Sequence, residues 1–272
     1  MDIQEVLDKI RQVKRVVQTE DIISEDKGSD FPFQRLVEEI SEILAVNAYL
    51  LNYEGQLLGY LSIFDDINSA RTHQMMEEKQ LDPNYMKRVQ ELTVTLTNIP
   101  VEDERTIFAN EYAANFPNCK TTIIPIIGHG RGLGYLILAR KKQAFDAGDM
   151  ILGEYVATIL AIEIENLLHQ QEDRQQKNRL MAKKAVASLS FSELAAMRTI
   201  LKDKTEPSFR FTASRLAEKE GLTRSIIVNG IRKMESANIL SSQSLGTKGT
   251  FIDLYTEENL HLIQETLDQE ER

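Results

Sequence analysis

The sequence predicts an α+β chain in two domains: an antiparallel sheet covered by helices, a long connecting helix, and a compact helical segment closed by a hairpin. Three observations predict it. The apolar period switches repeatedly between helix-like and strand-like through the first 150 residues. Residues 149–188 read as one helix, entirely polar from His169 to Asn178 yet free of Gly and Pro in that stretch. The chain has 272 residues, and at roughly 100–200 residues per domain that length predicts two domains.

The elements follow in order. Ile3, Val6, Leu7, Ile10, Val13, Val16 and Val17 recur at spacings of three and four, which marks an amphipathic helix. Residues 25–30, Glu-Asp-Lys-Gly-Ser-Asp, read as a loop. Residues 32–45 read as a second helix with Phe33, Leu36, Val37, Ile40 and Leu44 on one side. Asn47–Asn52 and Gln56–Ser62 are strand-like and joined by Tyr53-Glu54-Gly55, a hairpin signal. Ile67–Gln80 and Pro83–Leu92 read as helices, the latter with Pro in its first turn. Residues 93–101 are Thr- and Val-rich and read as extended. Thr121–Ile127 and Leu133–Ala139 are apolar and β-rich, with Gly128-His129-Gly130-Arg131-Gly132 between them. These make a core hairpin. The long helix follows Phe145-Asp146; a polar but unbroken helix is expected where it bridges domains through solvent. Beyond it, Ser192 is a plausible cap for a helix opening at Phe191. A second helix spans Phe211–Lys219, and Thr223 caps a third through Met234. Ile239–Ser244 and Thr250–Leu254 form two short strands around Gly246-Thr247-Lys248-Gly249.

Composition bounds the function. Hydrophobic residues make 42% and charged residues 27% of the chain, close to an ordinary globular protein. That excludes collagen, wholesale disorder and a membrane bundle. One cysteine, Cys119, excludes an intramolecular disulfide and a Cys-rich metal site. No stretch approaches the ~20 apolar residues of a membrane span, and the start shows no signal pattern, so the expected location is the cytoplasm. The net charge is −10 overall, but it divides into −10 for residues 1–180, +5 for 181–255 and −5 for 256–272. An acidic body with a basic segment points to a nucleic-acid partner for that segment.

The segment TTIIPIIGHGRGLGYLILARKKQAFDAGDMILGEYVATILAIEI, with its strand–turn–strand–Phe-Asp–helix rhythm, resembles a GAF domain, a small sensor fold. In ASRLAEKEGLTRSIIVNGIRKMES, small Ala217 and Gly221 stand four residues apart, framed by Leu216, Leu222 and Ile227. That is the pattern of a helix-turn-helix: the small residue lets the helices cross closely, and Gly takes the left-handed turn. With the hairpin after it, the segment resembles a winged helix-turn-helix. Its last helix would read DNA with Thr223, Arg224, Ser225 and Asn229. Ser214 on the preceding helix and Lys248 in the wing's turn join this set of DNA-contact candidates. The expected boundaries are 1–150 for the sensing domain, 151–188 for the connecting helix, 189–256 for the reading domain and 257–272 for an acidic tail.

LSFSELAAM, SRLAEKEGLTRSIIVNGIRKMESANIL, SLGTKGTFI and TTIIPIIGHGRGLGYLILAR are similar to the CodY family. The resemblance runs from about residue 32 to about residue 255. It implies a global transcriptional regulator, mainly a repressor, that binds an AT-rich palindromic double-stranded operator as a homodimer or higher oligomer. It implies that isoleucine, or leucine or valine, raises that affinity from the GAF domain, and that many members also respond to GTP. In the family's pattern Arg71 holds the ligand carboxylate. Met75, Leu81 and Pro83 match its downstream pocket residues, and Thr97, Ile99, Pro100 and Val101 match the loop that closes over the amino acid. Thr72, Leu81, Asp82 and Ile99 depart from the usual pattern, which leaves the choice among the three amino acids open. A bidentate Arg–carboxylate contact also makes chemical sense.

Other signals point to less. Gly128, Gly130, Gly132 and Gly134 precede a strand, LGYLILA, whereas a phosphate-cradling loop precedes a helix. His73, His129, His169 and His261 show no metal-ligand spacing. No nucleophile set or carboxylate dyad is recognisable, so no enzymatic activity and no metal is expected. The alternative reading is a constitutive DNA-binding factor whose GAF domain only dimerises. A catalytic GAF-like domain built on Cys119 is a third.

Overall fold

A computed structural model describes residues 1–19, 31–68, 70–108 and 115–269; the side chains of Thr19, Ala70, Arg71 and Thr247 are not among those described. The 25–30 loop expectation falls outside these residues. The chain divides into two compact units, Met1–His169 and Gln170–Arg272. The α+β class is the one the sequence predicts.

In the first unit, α1 (Ile3–Thr19) and α2 (Gln34–Leu44) precede the hairpin of β1 (Asn47–Asn52) and β2 (Leu57–Leu61). A 3-10 turn (Asp65–Ile67), α3 (Ala70–Glu78), α4 (Pro83–Gln90), β3 (Leu96–Pro100), β4 (Lys120–Gly128) and β5 (Arg131–Arg140) follow. The sheet order is β2-β1-β5-β4-β3, antiparallel throughout. Register sets the faces: Leu50 and Ile124 both stand opposite Leu136. Leu50, Ile124, Leu136 and Leu138 face the helices α1 and α2 and the first half of α5 (Ala147–Ala187), where Phe33, Val37, Leu152, Val156 and Leu160 complete one core. The alternate residues Tyr49, Leu51, Ile123, Tyr135 and Ile137 face α3, α4 and the 99–108 loop in a second core. His129 and Gly130 turn the β4–β5 hairpin with φ of 47° and 78°.

Helix α5 has 41 residues, roughly 60 Å at 1.5 Å per residue. Its start is fixed by reciprocal caps: Asp146 Oδ1 accepts from the Asp149 N–H and Asp149 Oδ2 from the Asp146 N–H, both at 2.9 Å. The buried Arg140 guanidinium grips Asp149 through two bonds of 2.9 and 3.0 Å and donates to the Leu44 carbonyl at 2.8 Å.

In the second unit the end of α5 joins α6 (Phe191–Leu201), β6 (Ser208–Phe211), α7 (Ala213–Glu220), α8 (Arg224–Ser236), β7 (Ser241–Ser244), β8 (Thr250–Asp253) and α9 (Glu257–Gln269). Four details differ from the sequence expectation. The cap of α6 is Ser190, not Ser192, because Ser190 and Glu193 form a reciprocal capping box. Phe211 belongs to a strand, and the helix begins only at Ala213. The wing is part of a three-stranded sheet, β6-β8-β7. Residues 257–269 are also more than an acidic tail. Leu260, Ile263 and Leu267 bury one side of α9 in the core. Arg198 donates to the Leu267 carbonyl and Gln264 to the carbonyls of Leu201 and Lys204, so α6 and α9 satisfy each other's terminal acceptors.

Candidate effector and nucleic-acid sites

The apolar face beneath α3 and α4 collects four of the eight residues expected to hold an amino acid. Met75 on α3, Leu81 before α4, Ile99 on β3 and Val101 after it are all buried in the core that contains Tyr49, Ile123 and Tyr135. Backbone bonds hold them there. The Leu81 N–H donates to the Gly55 carbonyl at 2.9 Å. Asn98 adopts a left-handed φ of 58°, and its amide exchanges two bonds with the Phe145 backbone, at 2.7 and 2.9 Å. That kink coincides with the register shift between Leu96 and Ile99 and turns Ile99 onto the apolar face.

The same kink separates Thr97 from the group. Its hydroxyl lies 2.9 Å from Met150 Sδ of α5, on the other side of the sheet. Pro83 is the exposed first residue of α4, whose cap is Asp82, and Pro100 is exposed at the end of β3. Arg71 stands in the first turn of α3, and its side chain lies outside the described residues.

Residues 101–108, after β3, are firmly held. Arg105 clasps Asp103 through Nε at 2.9 Å and Nη2 at 2.6 Å, which pulls the Asp103 carboxyl down to about 2. The Tyr85 hydroxyl donates to the Arg105 carbonyl at 2.8 Å, and the Thr106 and Thr121 hydroxyls meet at 2.9 Å. Cys119 is buried in the same core and burial pushes its thiol up to about 11. It is therefore protonated at neutral pH, the reverse of what a nucleophile needs. A separate cavity of about 640 Å³ opens beside the start of α5. Its charged lining is largely paired already: Arg140 with Asp149, Lys141 with Asp66 and Lys9 with Glu5. Among the described residues no group of His, Cys, Asp and Glu could hold a metal ion, and no helix is long and apolar enough to cross a membrane.

The second unit presents the other candidate set. Gly221 ends α7 with φ of 65°, and Thr223 Oγ1 accepts from the Ile226 N–H at 3.4 Å to start α8. Ala217 is buried at the crossing. Ile227, Ile231 and Met234 bury one side of α8. Ser214, Thr223, Arg224, Ser225, Asn229 and Lys248 are all exposed. The side chains of Arg224, Ser225, Asn229 and Lys248 make no hydrogen bond or ion pair among the described residues, so they are available to an outside partner. Gly249 shapes the wing, with φ of 98° and the Phe211 carbonyl oxygen 2.4 Å from where a Cβ would stand. The strand β6 brings exposed Arg210 onto the wing sheet opposite Phe251, and Arg215 is exposed on α7. Sequence reasoning passed over both. The Phe209-Arg210-Phe211 alternation was the available signal for the first.

The pattern of CodY GAF-like domains matches residues 5–189, and that of CodY helix-turn-helix domains matches residues 208–266. A global transcriptional regulator CodY of Staphylococcus carnosus is 33% identical over 261 residues, covering 96% of this chain and 99% of its own. One from Lysinibacillus sphaericus is 34% identical over 260 residues, covering 96% and 98%. Among solved structures, the cofactor-binding GAF domain of the nutrient sensor CodY from Clostridium difficile aligns at 27% identity with a TM-score of 0.41, covering 60% of this chain and 99% of that one.

Proposed function

This chain belongs to the CodY family of global transcriptional regulators, and on that premise we propose that it is mainly a repressor whose operator affinity rises when a branched-chain amino acid occupies the first unit. Isoleucine is the first candidate, with leucine and valine beside it, and GTP is a second effector. The operator is an AT-rich palindromic DNA duplex read by a homodimer in the cytoplasm. The genes it governs are those of amino-acid metabolism and adaptation to nutrient limitation.

One observation carries the effector reading. Met75 and Leu81 come from one stretch of the chain and Ile99 and Val101 from another, yet all four gather in one buried core with the helix that bears Arg71. An aliphatic side chain suits that face, and an arginine on that helix is the residue type that suits a carboxylate. Arg224, Ser225 and Asn229 on α8 are the base-reading set, with Thr223 and Ser214 beside them, and Lys248 meets a phosphate. A ligand shifts such a regulator only by binding one arrangement better than another. The unbroken α5 is the element that continues from the sensing unit into the reading unit.

Isothermal titration of the wild type and Arg71→Ala with isoleucine, alongside mobility shifts on operator DNA, tests the reading. The expected result is loss of isoleucine binding and of isoleucine-enhanced operator binding, with basal DNA binding kept. Unchanged isoleucine affinity in Arg71→Ala overturns the pocket. Absence of any response in the wild type to the 20 amino acids or GTP in a thermal-shift screen favours a constitutive factor instead, since a bound ligand stabilises by mass action.

A further inference from the structure

The apolar face of the first unit contains a cluster of polar side chains that the effector reading does not use. Asn47, Tyr49 and Asn68 are 0%, 1% and 5% exposed. Asn47 treats the backbone of Phe64 as a strand partner would: its Oδ1 accepts from the Phe64 N–H at 2.7 Å, and its Nδ2 donates to the Phe64 carbonyl at 3.0 Å. The Tyr49 hydroxyl donates to Asn68 Oδ1 at 2.7 Å. Asn68 Nδ2 donates to Ser62 Oγ at 2.6 Å and to Asp65 Oδ1 at 3.1 Å. The inner strand β1 thus grips the segment 62–68 through two side chains, Asn47 at Phe64 and Tyr49 at Asn68.

Such a cluster is a costly way to fill a core. A hydrogen bond returns little net stability, and any unmet polar atom here is penalised. What a fully satisfied buried network supplies is one fixed arrangement. The segment it fixes ends one residue before α3 in the chain, a helix whose second residue is Arg71 and whose sixth is Met75. Recognition of a carboxylate by a guanidinium is directional, so it depends on where the backbone sets that helix down. A binding group must be held within about 0.5 Å of its productive position to be effective.

We propose that Asn47, Tyr49 and Asn68 are positioning residues for the effector site: they fix the entry to α3 and so aim Arg71 at the ligand's carboxylate. This rests on the reading that Arg71 holds that carboxylate. The network's donors and acceptors are already engaged within the protein, so it acts through the helix and not on the ligand.

The test compares isoleucine with isoleucinol, which keeps the ammonium and the side chain but lacks the carboxylate. Titrations use the full chain as wild type, Arg71→Ala, Tyr49→Phe and Asn68→Ala, with thermal melts to verify folding. Wild type should prefer isoleucine by roughly 10- to 100-fold, the range of charge-assisted hydrogen bonds. Arg71→Ala should bring the ratio to about one. Tyr49→Phe and Asn68→Ala should cut it to below about a third of the wild-type value while isoleucinol affinity stays put. A purely structural role would lower the melting temperature and leave the ratio alone. Should Asn68→Ala fail to fold, Tyr49→Phe decides, since it removes a single hydroxyl. A wild-type ratio in folded Tyr49→Phe, with Arg71→Ala at one, overturns the positioning role. A wild-type ratio in Arg71→Ala overturns the effector reading, and the positioning role with it.

Discussion

Lys233 of α8 sets its ammonium 2.6 Å from the Glu193 carboxylate of α6. It also donates to the Ser188 carbonyl, just past the end of α5, at 2.9 Å. Glu193 is nearly buried and at the same time accepts from the Ser190 N–H in the capping box. One carboxylate therefore ties the start of α6 to α8, while its partner ties α8 to the end of α5. Lys233→Met should destabilise the second unit by about 1–3 kcal/mol, the range for hydrogen bonds to charged groups. Urea unfolding followed by circular dichroism measures it.

The same pair sets a pH dependence. The Lys233 ammonium, with the Ser190 cap, holds the Glu193 carboxyl below its ordinary value of 4.5. A group whose pKa is lowered by folding stabilises fully above the unfolded value and loses that contribution as pH falls through the folded one. Asp103, held near 2 by Arg105, acts in the same sense in the first unit. Wild-type stability should therefore decline as pH drops below about 4.5, and the second unit's share of that decline should be shallower in Lys233→Met. Urea midpoints across this acid range give the slopes.

Arg140 and Asp149 are 8% and 4% exposed and doubly bonded. Removing one partner strands a buried charge, so Arg140→Met should cost about 3–5 kcal/mol. The double change Arg140→Met, Asp149→Leu should recover only part of this, because Asp149 also accepts from the Asp146 N–H. Chemical denaturation of the three proteins is the check.

On DNA, Arg224→Ala and Ser225→Ala should weaken operator binding more than binding to random duplex. Lys248→Ala should weaken both alike and reduce the log–log salt slope by about 1. Mobility shifts at several salt concentrations separate the two behaviours. Normal operator binding by Arg224→Ala would remove α8 from the reading role.

Gly249→Ala places a Cβ 2.4 Å from the Phe211 carbonyl oxygen at a φ of 98°. The wing must shift, so the variant should lose about 1–3 kcal/mol of stability. It should bind all duplexes less tightly than wild type, whereas Gly130→Ala, with open space around its Cβ position, should leave DNA binding intact.

Much of this was legible before any coordinates. Period alone placed α1, α2, both hairpins of the first unit and α5 to within a few residues, because each buries an unambiguous stripe or alternation. The helix-turn-helix was legible through Ala217, Gly221 and Thr223, whose types are demanded by crossing, turn and cap. What escaped was settled by contacts distant in sequence. Strand β6 has only the short Phe209-Arg210-Phe211 alternation to mark it, and Phe211 reads as the start of a helix; the strand's partner is β8. The face of α9 was written in Leu260, Ile263 and Leu267, but the count of acidic residues drew attention first. The Asn47–Tyr49–Asn68 cluster could not be read at all, since nothing in three ordinary residue types announces that they will meet. Met75, Leu81, Ile99 and Val101 were named together through the family resemblance, and they share one buried cluster. The left-handed turn at Asn98 that sends Thr97 to the opposite side was not legible.

The far end of α5 deserves one practical conclusion. Ala182, Ala185 and Val186 are buried as part of the second unit's core. A fragment begun at residue 189 would lose that wall and expose what it covers. One begun at residue 170 would keep it. The helix is thus a stem rooted in the body it leads to, and a protease that cuts its exposed stretch around 170–178 should release a reading unit that survives as a folded piece.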